Sequence, residues 1–343
     1  MKVIYIGNQL NKKGLTPTSI ETLGVQLQDL NCEIKYASSI KNKFFRGLHM
    51  AWVVWRNRKW VDLVLVDTYS SFAFFYCFIV AALCKGIGVP YVPILRGGNL
   101  KWRIGKSPKI ADFVFKNSYT NIGVSNFLKT TFLEKKYPFT LIPNNVDIQN
   151  YSFLQRKNIS PTILWVRSFA RIYNPNLALD ILKLVSEKYP QAQLTMVGPD
   201  KDGSMQEFST YARTLGLEQQ VQIMGIKSKE EWREISKNCD IFLNTTTVDN
   251  TPISVIEAMA LGLPVVSTRV GGVPFIIEDS INGLLFDSGN ATQAADHIFQ
   301  LLTNSEKTEA ISKQARKMVE NWDWEVIKYQ WKELFESVLT KLR

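Results

Sequence analysis

The chain has 343 residues, a length that suits two domains better than one hydrophobic core. With 45% hydrophobic and 21% charged residues, its composition is that of an ordinary globular protein. Its four cysteines form no Cys-x-x-Cys pair, which indicates reduced thiols in a cytoplasmic protein, and its two histidines leave little material for a zinc site or a Ser-His triad.

The positive charge is concentrated in the first half of the chain. Residues 1–150 carry 20 Lys and Arg against 8 Asp and Glu, whereas residues 151–343 carry 21 against 23. Clustered positive charge favours an anionic partner such as nucleic acid, an anionic membrane surface or a phosphorylated acceptor. A basic surface that is only solvated is the alternative. Nucleic acid is disfavoured, because nothing after the basic half resembles a recognition module.

The first half reads as alternating strands and helices. A short apolar run at residues 3–7 predicts a strand rather than a signal peptide. A loop with Gly14 follows, and the capping box of Thr18 and Glu21 opens a helix that runs to about Asn31. Residues 33–37 are the next predicted strand.

Residues 41–60 combine basic and large apolar side chains and contain no acid. Their helical apolar stripe is Phe44, Leu48, Ala51 and Trp55, and their basic residues include Lys43, Arg46, Arg56 and Arg58. This composition is typical of a helix that lies in a membrane interface. A helix that packs on the core and exposes a basic face is the second interpretation, and the pattern alone leaves both open.

Three further features complete the first half. Residues 61–67 and 89–95 predict strands, and the apolar run 72–84 predicts a buried crossover helix, because spanning a bilayer takes roughly 20 residues. Arg96, Gly97 and Gly98 follow a predicted strand, where glycines let the backbone approach a ligand or simply form a turn.

A polar linker at residues 149–161 separates the halves, and residues 162–166 predict the first strand of the second half. Arg167 and Arg171 follow that strand, before a helix that Asn174 caps and Pro175 begins. Strands are predicted at 193–198 and 221–225. We interpret the carboxylates of Asp200 and Asp202 as part of a polar turn rather than a metal site.

The segment 249–267 predicts a loop, a short helix and a buried strand. Thr251 is placed to cap the helix and Pro252 to occupy its first position, while Gly262 ends it. The N–H groups of its first turn lack intrahelical partners and, with the helix dipole, suit a phosphate.

Glu257 lies on the apolar face of this helix, beside Ile253, Ala260 and Leu261. A partly buried carboxylate needs donors. None is evident nearby in the sequence, so the hydroxyls of a ligand could supply them. A nucleoside diphosphate matches both the phosphate site and the hydroxyl acceptor. A plain amphipathic helix with Glu257 turned to solvent is the alternative.

Asp249, Pro252, Glu257 and the block Ala258 to Val266 resemble the acid-x7-acid signature of retaining glycosyltransferases of family 4. Ile122 to Ser125 and Ile142 to Asp147 resemble further segments of that family, as do Gly271 and Gly272 after the motif strand. The family shows G-R-L-x-x-x-K-G after the first strand of its second domain. Here Ser168 and Tyr173 stand at the two basic positions, and the charge is displaced to Arg167 and Arg171.

The resemblance implies an α/β protein of GT-B fold, with two Rossmann-like doubly wound parallel-sheet domains facing a central cleft. The expected domains are an acceptor-binding domain at 1–150 and a nucleotide-sugar-binding domain at 160–321. The helix at 322–343 is expected to pack back on the first domain.

The resemblance also assigns roles to residues. It implies Asp249, Arg167 and Arg171 as catalytic residues, and Arg96, Gly97 and Gly98 as acceptor-binding residues. The donor-binding set it implies is Gly14, Asn250, Thr251, Pro252, Ile253, Ser254 and Glu257. No metal and no cofactor are expected.

The implied activity is transfer of a hexose from a nucleotide-diphosphate sugar, with retention of configuration, to a glycan or lipid-diphosphate acceptor in cell-surface polysaccharide synthesis. The expected location is cytoplasmic and peripheral on the inner face of the cell membrane. Two alternatives are open: a non-catalytic protein that binds a nucleotide sugar or glycan, and a nucleotide-sugar epimerase or hydrolase.

Overall fold

The computed structural model describes residues 1–9 and 18–342. Internal contacts divide the chain into two compact units. Unit 1 is Met1–Asn145 with Trp324–Arg343, and unit 2 is Val146–Asp323. Within the described residues, each unit contains a six-stranded sheet whose paired strands all run parallel. Because parallel strands need crossover connections, helices alternate with the strands in both units.

The sheet of unit 1 has the strand order β2-β1-β3-β4-β5-β6. Its strands are β1 (Lys2–Ile6), β2 (Glu33–Ala37), β3 (Leu63–Thr68), β4 (Tyr91–Leu95), β5 (Ile122–Gly123) and β6 (Thr140–Leu141). Its helices are α1 (Ser19–Gln28), α2 (Lys43–Arg56), α3 (Ala73–Ile87), α4 (Leu100–Lys106), α5 (Pro108–Lys116), α6 (Lys129–Glu134) and α13 (Trp324–Leu342). The predicted capping box of Thr18 and Glu21 is confirmed at the start of α1.

Helix α3 is the central helix of the core of unit 1. Phe74, Cys77, Val80, Ala81 and Cys84 are fully buried along it, so the predicted crossover helix is confirmed. The four cysteines of the chain are all buried free thiols. Within the described residues, no helix is both long and apolar enough to cross a bilayer.

Helix α2 has two apolar faces, one of which packs on the core as the second interpretation of residues 41–60 expects, while the membrane interpretation stays a prediction. One face packs on the core through Met50, Val53 and Val54. The other leaves large side chains exposed to solvent, namely Phe44, Phe45, Leu48, Trp52 and Trp55. Arg46 is buried, contrary to its predicted place at a membrane surface. Its guanidinium donates to the carbonyls of Ile40 and Lys41 and to Asn8.

The sheet of unit 2 has the strand order β12-β11-β10-β7-β8-β9. Its strands are β7 (Thr162–Val166), β8 (Gln193–Val197), β9 (Val221–Gly225), β10 (Ile241–Asn244), β11 (Val265–Thr268) and β12 (Leu284–Phe286). Its helices are α7 (Pro175–Lys188), α8 (Ser204–Thr214), α9 (Lys229–Ser236), α10 (Ile253–Ala260), α11 (Ala291–Thr303) and α12 (Ser305–Glu320). The central strands β7, β10 and β11 are apolar and buried, as expected of parallel strands covered on both faces.

Helix α10 begins one residue later than the sequence predicts. Pro252 stands at the N-cap with an extended ψ of 107°, and Ile253 is the first helical residue. The prediction that Thr251 caps the helix is therefore wrong by one position. The end of the helix agrees with the prediction, since Gly262 has a left-handed φ of 80° and a β-carbon there would lie 2.5 Å from the carbonyl oxygen of Leu154.

Candidate functional site

In unit 2, an ion pair joins the loops that follow β7 and β10. Arg167 Nη2 contacts Asp249 Oδ2, while Asp249 Oδ1 accepts from the N–H of Asn250 at 2.8 Å. The side chains of Arg167 and Asp249 are 17% and 16% exposed, so solvent reaches both. The carboxyl ends of neighbouring parallel strands share one edge of the sheet, which is the usual place for ligands in such folds. The structure thus brings together two of the three residues predicted as catalytic.

Three glycines let the backbone of this edge pack closely. A β-carbon at Gly271 would lie 1.9 Å from the carbonyl oxygen of Asp249, and one at Gly272 would lie 1.7 Å from that of Asn250. A β-carbon at Gly198 would lie 1.8 Å from the carbonyl oxygen of Arg167. Any side chain at these positions would displace the loops that carry Arg167 and Asp249. The glycine pair after β11 is therefore a packing requirement of the candidate site.

The first turn of α10 has backbone donors without an acceptor among the described residues. Within the described residues, the N–H groups of Ile253 and Ser254 donate to no backbone carbonyl, whereas that of Val255 donates to Pro252 at 3.1 Å. The hydroxyl of Ser254, a residue only 8% exposed, is buried and has no hydrogen-bond partner in the part of the chain that the structure describes. Free N–H groups, the positive end of the helix dipole and an unpaired hydroxyl together form a site suited to a phosphate group.

Glu257 is buried, with 4% of the residue exposed, so it does not turn to solvent. Protein groups from distant parts of the sequence supply donors to its carboxylate. Its Oε1 accepts from the hydroxyl of Tyr151 at 2.6 Å and from Lys229 Nζ at 2.7 Å. Neither donor is adjacent to the motif in sequence. No hydrogen bond from the described residues ends on the second oxygen, Oε2.

Arg171 is placed differently from Arg167. Its guanidinium forms a surface pair with Glu207, and 72% of its side chain is exposed. Its backbone N–H donates to Asp202 Oδ2 at 2.9 Å. Within the described residues Arg171 makes no contact with Asp249, so the structure does not bring it into the cluster of Arg167 and Asp249.

Lys201 is a cation that sequence reasoning missed. It lies in the turn after β8, where its N–H donates to the carbonyl of Phe169 at 2.9 Å. Its pKa is lowered from the ordinary value, first by desolvation of the ammonium group and then by the positive charge of Arg167. Two neighbouring cations repel each other, and an anion bound between them would remove this cost. Within the described residues, the buried Nε of Arg167 has no hydrogen-bond partner, so Lys201 and Arg167 together have the charge to neutralise a bound anion.

Asp200 and Asp202 bind backbone N–H groups, as the polar-turn interpretation expects. Asp200 Oδ1 accepts from Gly203 at 2.9 Å, and Asp202 Oδ1 accepts from Ser204 at 3.3 Å. Over residues 1–9 and 18–342, no cluster of three or more His, Cys, Asp or Glu side chains could hold a metal ion.

The remaining residues that were predicted to bind the sugar donor lie mostly around the first turn of α10. Asn250 and Thr251 both have partners within the protein. Pro252, Ile253 and Ser254 form the start of α10. Gly14 lies outside the described residues.

In unit 1, the predicted acceptor residue Arg96 belongs to a buried network. Its Nε lies 3.1 Å from Asp67 Oδ1, and its other nitrogens donate to Asn144 Oδ1 and the hydroxyl of Tyr5. Tyr5 in turn donates to Asp67 at 3.1 Å. Burial raises the pKa of Asp67, while the charge of Arg96 opposes that shift. The side chain of Arg96 therefore points into the protein.

Gly97 and Gly98 follow Arg96 at the carboxyl end of β4. A β-carbon at Gly97 would lie 2.6 Å from the backbone nitrogen of Ser70, so this glycine lets two loops pack together. Gly98 is half-buried. The assignment of these two glycines to an acceptor stays a prediction.

Comparison with known proteins identifies the class of the fold. The chain superposes on the structure of Anabaena Alr3699/HepE in complex with UDP-glucose with a TM-score of 0.80 and 19% identity, over 98% of this chain and 100% of that one. The protein therefore has the α/β two-domain fold of the GT-B class, in agreement with the predicted fold. Residues 149–318, nearly all of unit 2, match the model of the family of glycosyl transferases group 1. The likeness to this family therefore lies in unit 2.

The chain is also similar in sequence to two curated relatives. The chain is 31% identical over 150 residues to sulfoquinovosyl transferase SQD2 of Arabidopsis thaliana, which is 43% of this chain and 28% of that protein. It is 32% identical over 161 residues to N-acetyl-alpha-D-glucosaminyl L-malate synthase of Bacillus anthracis, which is 46% of this chain and 40% of that protein. The matches thus span less than half of either relative.

Proposed function

We propose that the protein transfers a hexose-type sugar from a nucleotide-diphosphate sugar to a glycan or lipid-linked acceptor, with retention of anomeric configuration, in cell-surface polysaccharide synthesis. The observation that carries this proposal is the cluster at the carboxyl edge of the second sheet. There the Arg167–Asp249 pair, Lys201 and the first turn of α10 lie on loops that neighbouring strands and close glycine contacts hold together.

Negative charge develops on the departing diphosphate as the sugar leaves. Donors that are already in place stabilise such charge without reorganisation during the reaction. Arg167 Nη2 holds Asp249, which leaves its unpaired Nε for a phosphate oxygen. Further hydrogen-bond donors come from Lys201, from the N–H groups of Ile253 and Ser254, and from the hydroxyl of Ser254. We assign Asp249 to the region of the transferred sugar, and Glu257 Oε2 to the hydroxyls of the ribose.

Product analysis tests the activity. The protein is incubated with UDP-, GDP- and ADP-sugars and with glycan and lipid-diphosphate acceptors, and the anomeric configuration of the product is determined by NMR. We expect a glycoside with the configuration of the donor. Release of free sugar or an altered donor would indicate the hydrolase or the epimerase. Donor binding without any product would indicate the non-catalytic binding protein.

Asp249→Asn separates the chemical step from nucleotide binding. Because we place Asp249 near the sugar, this variant should lose turnover while its affinity for the bare nucleoside diphosphate is largely kept. An equal loss of both would move Asp249 to the nucleotide or to a structural role in the loop.

We also propose that unit 1 binds an anionic membrane surface peripherally, at the cytoplasmic face. The supporting observation is a surface of exposed apolar side chains on three helices, here called the aromatic surface. Its residues, each between 41% and 68% exposed, are Phe44, Phe45, Leu48, Trp52 and Trp55 of α2, Phe72 directly before α3, Ile79 of α3, and Trp102 of α4. A β-carbon at Gly47 of α2 would lie 3.3 Å from the ring of Tyr76 and 3.8 Å from Ile79, so α2 and α3 form one surface.

Cations accompany these rings. Arg56 lies over the ring of Trp52 at 5.8 Å, Arg58 over Trp55 at 4.6 Å, and Lys106 over Trp102 at 4.8 Å. Exposed aromatic rings beside basic side chains suit the headgroup region of an anionic leaflet. Each engaged Lys or Arg contributes about 1 kcal/mol to such binding. The proposed attachment is therefore reversible and weakened by salt.

Co-sedimentation with phosphatidylserine-containing vesicles at low and high salt tests the membrane proposal. We expect binding at low salt that falls when Arg56 and Arg58 are replaced by Ser. The matched control replaces Lys328 and Lys332 of α13, which packs against α1, by Ser. Equal effects of the two double variants would mean that net charge acts without this surface. Failure of the wild-type protein to bind at low salt would contradict the proposal.

A further inference from the structure

The carboxylate of Glu257 is bonded on one side only. Both of its protein donors, the Tyr151 hydroxyl and Lys229 Nζ, end on Oε1, at 2.6 Å and 2.7 Å. The side chain of Glu257 is 5% exposed and that of Lys229 is 31% exposed. A carboxylate oxygen has lone pairs for two bonds, so two donors satisfy Oε1. Oε2, which accepts nothing from the described residues, keeps its acceptor capacity for a ligand.

The two donors are fixed by contacts of their own. Lys229 is the first residue of α9, directly after Ser228, whose side chain forms a capping box with Glu231. One turn further along the same helix, the guanidinium of Arg233 lies 5.2 Å from the centre of the Tyr151 ring. The carbonyl of Tyr151 accepts from Arg316 Nη1 at 2.7 Å. Neither donor therefore depends on Glu257 alone for its place.

The charges of the three groups agree with this arrangement. Burial, and then the negative charge of Glu257, raise the pKa of Tyr151, so its hydroxyl stays protonated and donates. The ammonium of Lys229 compensates the charge of the buried carboxylate, which would otherwise be costly to desolvate. Two donors on one oxygen also restrict rotation of the carboxylate, because any other rotamer would break both bonds.

We propose that Tyr151 and Lys229 are positioning residues for nucleotide recognition, which hold Glu257 so that Oε2 accepts from the hydroxyls of the ribose. The inference rests on the proposed function, in which Glu257 faces the nucleotide. Recognition of the ribose then requires three residues from three separate segments of unit 2. The competing explanation is that the three side chains only tie α9 to α10.

Deoxynucleotides distinguish these explanations. Calorimetry is carried out with UDP, GDP and ADP, and then with the 2′-deoxy and 3′-deoxy forms of whichever binds. We expect the wild-type protein to bind the ribonucleotide about tenfold or more tightly than at least one deoxy form, as the loss of one hydrogen bond to a charged group predicts. Tyr151→Phe and Lys229→Met should bind the ribonucleotide more weakly while the deoxy form is little affected. In each variant, the ratio of the affinity for the ribonucleotide to the affinity for the deoxy form therefore moves towards one.

Two controls accompany these variants. Lys227→Met removes a lysine two positions away that pairs with the exposed Glu231, and it should keep the wild-type ratio. Lys229→Arg retains a donor and a positive charge, so it should restore most of the discrimination. Tyr151→Phe removes one oxygen atom only and remains informative if Lys229→Met folds poorly, which melting curves would show.

The possible outcomes distinguish a failure of this inference from a failure of the proposed function on which it rests. Nucleotide binding in the wild-type protein without discrimination between ribose and deoxyribose would overturn the inference and leave the proposed function standing. The same holds if both variants weaken the ribonucleotide and the deoxy form equally, which is the result a purely structural role gives. Absence of binding to every nucleoside diphosphate and nucleotide sugar would overturn the proposed function and the inference with it.

Discussion

The two units place an arginine–aspartate pair at the same position of their sheets, and the two pairs differ in their surroundings. In unit 1, Asp67 lies near the end of β3, and Arg96 directly follows the neighbouring strand β4. In unit 2, Arg167 and Asp249 lie on the loops after the neighbouring strands β7 and β10. Parallel sheets bring such loops together at their carboxyl edge, so the fold alone accounts for the proximity of each pair.

The hydrogen-bond partners of the two arginines distinguish the pairs. The side chains of Arg96 and Asp67 are 9% and 1% exposed, and the three side-chain nitrogens of Arg96 donate to Asp67, Asn144 and Tyr5. Arg167 and Asp249 are more exposed, and within the described residues Arg167 Nε is buried without a partner. An arginine whose nitrogens all have protein partners serves the structure, whereas we propose that the unpaired donor of Arg167 serves a ligand. Residue identity and position in the sheet therefore do not assign function without the surrounding partners.

Arg96→Ala should have the largest effect, and the effect is on stability. It leaves the carboxylate of Asp67 buried without its cation, which typically destabilises a protein by about 3–5 kcal/mol. Chemical denaturation followed by tryptophan fluorescence measures the change. Arg58→Ala, which removes an exposed arginine of the same unit, is the control and should leave the transition in place. A transition of Arg96→Ala that matches the wild type would show that the network of unit 1 is not structural.

Arg167→Ala should have the next largest effect, and the effect is on rate. Removing one preorganised donor to a developing negative charge typically lowers turnover about a hundredfold or more. Its denaturation transition should shift less than that of Arg96→Ala, because the Arg167–Asp249 pair is less buried than the Arg96–Asp67 pair. Steady-state kinetics with the donor found by product analysis provides the measurement. Full turnover in a folded variant would remove Arg167 from the site and end the contrast between the two pairs.

Most of the strands and several helices of both units could be predicted from the sequence, because they depend on local signals. Alternating apolar runs gave the parallel strands, and the capping box of Thr18 and Glu21 gave the start of α1. The start of α10 was predicted one residue early. Both Thr251 and Pro252 suit a helix start, and only the backbone angles decide between them.

The candidate site was less predictable, because its contacts join distant segments. Tyr151 lies 106 residues from Glu257, and Lys229 lies 28 residues from it. No local pattern marks either residue as a donor to a carboxylate. Arg96 and Arg167 each follow a predicted strand and look alike in the sequence, and only their partners in the fold distinguish them. Lys201 was overlooked because its turn was considered for its two acids alone.

Glu257→Ala should have a moderate effect, confined to the nucleotide. Losing hydrogen bonds between the ribose and a charged acceptor weakens binding by about 1–3 kcal/mol. Calorimetry with the free nucleoside diphosphate gives the value. Glu230→Ala, which removes an exposed acid from the neighbouring helix α9, is the control and should bind as the wild type does. Unchanged affinity in a folded Glu257→Ala protein would mean that the carboxylate serves only the internal contacts with Tyr151 and Lys229.

Arg171→Ala should have the smallest effect, although the sequence assigned Arg171 the same role as Arg167. Its guanidinium pairs with Glu207 on the surface, and exposed ion pairs of this kind contribute little to stability. We therefore expect turnover, nucleotide affinity and the denaturation transition all to match the wild type, whereas Lys201→Met should lower turnover. The two variants each remove one positive charge from loops that border the same edge of the sheet, so a general electrostatic effect would lower both rates equally. A rate loss in Arg171→Ala as large as that in Arg167→Ala would show that Arg171 leaves Glu207 for the diphosphate when the donor binds. The candidate site of unit 2 would then extend to the start of α7.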